Sequence, residues 1–410
     1  MSAPFLRITL AAVLTCCIAG PASAALDARI QAAAEQAKAP TLTLLEQLVN
    51  IDSGSGYEPG VSEVGKLVSA ELKKLGATVQ QVPNTAPDKS QHLVATLRGS
   101  GKARILLLAH MDTVFKEGTA KTRPYHTDDK RAYGPGVSDD KGGIVVALAA
   151  LEILKQLDFK DYGQITLLLD ASEETGSQAA TELIASTAKQ HDVTLNLEPG
   201  RPADGLVVWR KGSATAVVEV KGKASHAGVS PELGRNAATE VAHQVLQLGN
   251  LGDAEKKTSV NFTVIEAGER INVIPDHAVA KADVRAALPE EFDRVEKDLA
   301  RIAVNKQIPD TEVTTRLERG LPPMPQTAAS DRLLAMAQAI YGELGRTLTV
   351  EGSGGAADAS IAAGAGVPTL DGFGIVGGKL HTPEEYVELD SVAPRIYLLA
   401  RMLVELSKAQ

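Results

Sequence analysis

The stretch "QITLLLDASEETG", Gln164 to Gly176, decides how the rest of the chain is read. Its apolar run is short and uninterrupted, the pattern of a strand buried on both faces, as in a helix-covered sheet. Where that strand ends, Glu173 and Glu174 stand side by side. Carboxylates rarely approach a core without a partner. A bland account exists: Ser172 caps a following helix, and the two glutamates favour the helix N-terminus. That account weakens if other strand ends carry similar groups.

They do. "ARILLLAHM" ends in His110, with Asp112 two residues on and therefore on the same face of an extended chain. "GPGVSDDKGG" sets Asp139 and Asp140 in a Gly-rich turn before the apolar helix "GGIVVALAALEILKQL". "DVTLNLEP" ends in Glu198, and "GGKLHTPEEY" places His381 in a late loop. In open α/β sheets, ligands bind beyond the carboxyl ends of the strands. Taken singly, the aspartates read as a turn and cap, and His110 as a core histidine. Glu198 precedes Pro-Gly and has no capping role to play. One shared site accounts for all of them together.

Alternating strands and helices up to Lys211 predict an α/β sheet covered on both faces. From Ser213 the texture changes. "SATAVVEVKGKAS" alternates, and the order β-α-β-β-α-β that follows is the split βαβ pattern of a ferredoxin-like domain. "GLPPMP", Gly320 to Pro325, is a Pro-rich exit, after which the α/β texture returns. The expectation is a catalytic α/β domain in two parts, residues 25–211 and 322–410, interrupted by an inserted domain at 212–321.

Arg7, the apolar "ITLAAVLTCCIAG" and the small-residue "ASA" at 22–24 predict a signal peptide over residues 1–24, too short to span a membrane. The expected location is secreted or periplasmic. Cys16 and Cys17 both fall inside it, so the mature chain has no disulfide and any metal site must use His, Asp and Glu. The 410 residues are 44% hydrophobic and 23% charged, ordinary soluble composition with ample material for a core. A net charge of -9 with no basic stripe argues against nucleic acid as a partner, and no further segment suits a membrane.

His and carboxylate without Cys suit Zn²⁺ or a similar divalent ion, and the donors exceed what one ion needs. Two ions bridged by one carboxylate, typically about 3.5–4 Å apart, ionise a water and polarise a carbonyl. A further carboxylate, free of metal, must take the water's proton. Residue pattern alone does not say which glutamate, or which aspartate, does which.

The motifs "HMDTV", "YGPGVSDDKGG", "SEETGS", "LEPG", "GKASHAGVSPELGRNA", "INVIP" and "ADVR", in this order, resemble the co-catalytic dizinc aminoacylase and carboxypeptidase family, in particular its bacterial glutamate carboxypeptidases. The resemblance covers the whole mature chain and implies a zinc-exopeptidase-like mixed sheet with an inserted ferredoxin-like dimerisation domain. By it, His110, Asp139 and Glu198 hold one zinc, and Asp139, Glu174 and His381 the other, with Asp139 bridging. It makes Glu173 the general base and Asp112 the carboxylate that orients His110, and leaves Asp140 to cap the helix. It assigns His226 to the oxyanion in the partner subunit's site, and Asn272 and Arg285 to the substrate carboxylate. "GSGGAADAS", with Gly355, resembles a substrate loop, though Ala357 stands where the family has a hydroxyl residue. The implied enzyme is a homodimeric metallo-carboxypeptidase with two Zn²⁺ per subunit, cleaving the amide bond to a C-terminal residue, glutamate above others. Its rivals are an N-acyl amino acid deacylase or dipeptidase on the same fold, and a non-catalytic binding protein on a degenerate one.

Overall fold

The computed structural model describes residues 28–84 and 89–408, so the leader read at residues 1–24 lies outside the described residues. The main sheet has six strands, ordered Thr78–Pro83, Gln91–Arg98, Gln164–Asp170, Arg104–His110, Val193–Asn196, Thr369–Leu370. The first two pairings are antiparallel and the remaining three parallel, so the sheet is mixed. Both faces are covered, as the unbroken apolar strands demand. Ile105, Leu107, Ile165 and Leu167 join one core with the helices Ala28–Val49, Lys141–Gln156 and Val392–Lys408. Leu106, Leu108 and Leu168, on the opposite face, pack against Ile184 of Thr181–Ala188 and Ile361 of Asp358–Gly364.

A second, wholly antiparallel sheet lies between these two parts of the chain. Its order is Ser259–Ala267, His277–Ala286, Gly212–Lys221, Glu312–Arg319, with the helices Ala237–Leu248 and Pro289–Ala303 packed against it. This is the split βαβ arrangement, and it has its own core, including Ala216, Val218, Val241, Val284, Phe292 and Val295. The alternating burial of Gly212–Lys221 matches the alternation of its sequence. A short two-stranded arm, Ser225–His226 with Val273–Ile274, extends from the same part of the chain.

The register of the parallel strands brings their carboxyl ends level. His110 stands opposite Asp170, and Leu108 opposite Asn196. Glu173 and Glu198 then follow within a few residues of one sheet edge. A small sheet pairs Tyr386–Glu388 with Arg131–Tyr133 and with Gly377–Gly378. It draws the His381 loop onto the turn that carries Asp139. Among the described residues, no helix is long and apolar enough to cross a membrane.

Candidate active site

Two glutamates at a strand end invited a capping explanation, and the local structure removes it. Glu173–Thr175 is a single 3-10 turn, closed by Gly176 at a φ of 93°, a conformation that suits glycine. Ser172 makes no side-chain cap; its hydroxyl donates to Asp170 instead. The turn is anchored from below by Asp112, which is fully buried. Asp112 Oδ1 accepts the Glu173 N–H at 3.1 Å, and Oδ2 accepts the Glu174 N–H at 3.2 Å and the Ser55 hydroxyl at 2.6 Å. Asp112 therefore anchors the glutamate turn as well as lying beside His110. His110 Nδ1 lies 3.4 Å from Asp112 Oδ1 and 3.0 Å from its backbone oxygen, which leaves Nε2 to face the site.

Asp139 sits between two imidazoles, one oxygen for each. Oδ1 is 3.0 Å from His110 Nε2, and Oδ2 is 3.2 Å from His381 Nε2. His381 Nε2 also meets Glu174 Oε2 at 3.2 Å, and Glu198 Oε1 lies 3.6 Å from His110 Nε2. Potential ligand atoms of His110, Asp139 and Glu174 all lie within 4.8 Å of one another, as do those of His110, Glu173 and Glu198. Asp140 occupies the N-cap position of Lys141–Gln156 but does not cap through its side chain, contrary to expectation; Oδ2 accepts the His110 N–H at 3.3 Å. The close approach of that helix to the sheet needs glycine, since a Cβ on Gly143 would fall 2.2 Å from the Leu197 carbonyl oxygen.

The electrostatics describe a site crowded with negative charge. Burial opposes charge on His110, yet Asp112, Asp139 and Glu198 more than offset it and raise its pKa well above the ordinary range. Asp139 and Glu174 push His381 up to about 10. Burial, reinforced by neighbouring carboxylates, drives Glu173 well above the usual carboxyl range and raises Glu174 as well. Among the described residues, Glu174 Oε1 is buried without a hydrogen-bond partner. Imidazole and carboxylate donors, an orphaned oxygen and surplus negative charge fit divalent cations.

The model of peptidase family M20/M25/M40 matches residues 106–405, a span that carries every imidazole and carboxylate of the cluster. The chain belongs to that family. It is a metal-dependent peptidase of the M20 type. It is 38% identical over 406 residues, 98% of this chain and 98% of the relative, to carboxypeptidase G2 of Pseudomonas sp. (strain RS-16). A tripeptidase from Staphylococcus aureus shares the fold at a TM-score of 0.77 and 22% identity, covering 90% of this chain and 99% of that one. A dinuclear metal-binding peptidase of the M20 family from Bacillus subtilis does so at a TM-score of 0.71 and 16% identity, covering 92% and 99%.

Not every expected residue of this M20 chain joins the cluster. Among the described residues, no hydrogen bond or ion pair links His226, Asn272 or Arg285 to it. His226 and Asn272 are exposed on the two-stranded arm and adjacent there, the Ala227 N–H donating to the Asn272 carbonyl at 2.9 Å. Arg285 lies on His277–Ala286 with its guanidinium turned to Asp283, 3.0 Å away. Gly355 is exposed in the loop before Asp358–Gly364.

Sequence reasoning missed two supports. Buried Glu385 accepts backbone N–H groups of Gly136, Ser138 and Asp139 at 3.3, 2.9 and 3.1 Å and so fixes the Asp139 turn. Burial, then Asp139, pushes its carboxyl up to about 7. The doubled glutamate of "HTPEEY" was the available signal. Arg210, buried beside Glu198 at 3.3 Å, had none. Asp112→Asn keeps the volume but weakens the grip on His110 and on both glutamate N–H groups. It is expected to lower metal affinity about 10- to 100-fold, read by chelator competition.

Proposed function

We propose that the chain is a dizinc exopeptidase that hydrolyses the amide bond to a C-terminal amino acid, glutamate above others. The observation that carries this reading is Asp139 spanning His110 and His381 with one oxygen each, beside two glutamates on one turn. His110, Asp139 and Glu198 would hold one ion, and Asp139, Glu174 and His381 the other. When bound, such a pair supplies the acidity that ionises water near neutral pH and an electrophile for the substrate carbonyl.

The chain's own groups do the rest. Glu173 receives the water's proton on its carboxylate and passes it to the leaving nitrogen. His226 Nδ1 accepts N–H groups of Gly228 and Val229, each at 3.2 Å, so the neutral ring carries its proton on Nε2. That N–H is the donor suited to a developing oxyanion. Arg285, aided by Asn272, holds the substrate carboxylate with its planar fork, taking it in place of Asp283. Gly355 lines the substrate loop. A cleft of about 490 Å³ beside Glu174, lined by Ser55, Tyr57, Val114 and Phe115, is the place for the acyl side.

Residues 212–321 serve as the dimerisation unit between catalytic parts 25–211 and 322–410. One observation favours it: among the described residues, His226 is exposed and makes no hydrogen bond or ion pair to the site of its own chain. Residues 1–24 direct the chain to the periplasm or beyond.

A substrate panel tests the specificity. Folyl- or acyl-glutamates are expected to exceed acetylated amino acids and dipeptides in kcat/KM at least about tenfold; the reverse order would favour a deacylase or dipeptidase. Arg285→Met is expected to cost about 1.5–3 kcal/mol of transition-state binding, or about 10- to 100-fold in kcat/KM, for substrates with a free carboxylate. An amidated substrate should lose little further.

A further inference from the structure

We infer that Arg210 is a positioning residue: it fixes which oxygen of Glu198 faces the metal site and ties the Gly-rich substrate loop to that same carboxylate. The inference rests on the proposed ligand role of Glu198 and names what sets that ligand's orientation. Arg210 ends the strand Leu206–Arg210 and is 3% exposed. Its own backbone is held by Met324, with N–H to carbonyl bonds of 2.9 and 3.0 Å in both directions.

The guanidinium reaches three structures at once. Nη2 meets Glu198 Oε2 at 3.3 Å. Nε donates to Asp371 Oδ2. Nη1 faces the Gly355 carbonyl at 3.3 Å and the Ser353 hydroxyl at 3.5 Å. Asp371 is itself immobilised: it is fully buried, and Oδ1 accepts from Asn196 Nδ2 at 2.9 Å and from the Gly372 N–H at 2.6 Å. Asn196 ends the strand from which Glu198 departs.

Glu198 Oε2 is occupied by a cation of the protein, so Oε1, the oxygen toward His110, is the one offered to a metal. A fork with fixed donors can hold Glu198, Asp371 and the 353–355 loop in one arrangement; a lysine ammonium, a point charge on a flexible stem, cannot. A buried pair of this kind demands that every partner be satisfied. A displacement of the loop would thereby reach a metal ligand, and loss of the ion would loosen the loop.

The test uses the full chain, stripped by chelator and titrated with Zn²⁺, for wild type, Arg210→Lys, Asp371→Asn and Glu198→Gln. Arg210→Lys is expected to weaken one of two Zn²⁺ affinities about 10- to 100-fold and leave the other within about threefold. KM should rise more than kcat falls. Asp371→Asn, which keeps Arg210 but loosens its anchor, should move the same affinity and KM in the same direction, and it carries the test if the lysine variant does not fold. Wild-type affinity for both ions and unchanged KM in either folded variant, with only a lower Tm, would make the network a scaffold and overturn the inference. Glu198→Gln keeping both ions at wild-type affinity would instead overturn the ligand assignment, and the inference with it.

Discussion

Glu173→Gln is expected to lower kcat about 10⁴-fold, the upper end of what one positioned proton carrier contributes, with KM and metal content close to wild type. The substitution is nearly isosteric. It leaves the Glu173 N–H on Asp112 and the 3-10 turn intact, so the neighbouring Glu174 keeps its place opposite His381. Only the ability to take and return a proton is removed. The surroundings set this carboxyl apart, since burial raises it well above the ordinary carboxyl range. Steady-state kinetics with elemental analysis on the same preparation decide it. A folded variant with near-normal kcat would remove Glu173 from the chemistry.

Asp139→Asn is expected to be as severe, by a different route. Each Asp139 oxygen faces its own imidazole, at 3.0 and 3.2 Å. Asparagine keeps one acceptor and loses the charge, so it cannot serve both sides. Both ions should bind more weakly, and turnover should fall at least about 10³-fold, to whatever an incomplete pair supports. The fold should survive, because Glu385 holds the turn through backbone N–H groups that the substitution does not touch. Retention of both ions at wild-type affinity would show that Asp139 does not bridge.

The α/β sheet and the inserted split βαβ unit were legible because their signals are local: unbroken apolar runs for doubly buried strands, alternation for a half-buried sheet. The cluster of donors was legible where a strand end fixes direction, as for His110, Glu173 and Glu198. Which neighbour of a pair does which task was not, because adjacent residues share the same local pattern. Asp140 reads as a cap and in fact braces His110 through its backbone. Arg210 could not be read at all. Its partners Glu198, Gly355 and Asp371 lie 12, 145 and 161 positions away, and nothing in "VVWRKG" separates a buried fork from a surface cation. His226 and Arg285 rested on resemblance, and the single chain leaves them away from the cluster they were expected to serve.

If Glu173 and Glu174 have separate tasks, metal content per chain distinguishes them. Wild type, Glu173→Gln and Glu174→Gln, each loaded with Zn²⁺ and freed of excess by gel filtration, are measured side by side. Glu173→Gln is expected to carry as much metal as wild type, while Glu174→Gln loses an ion. Loss of metal from Glu173→Gln, with Glu174→Gln fully loaded, would contradict that division of tasks.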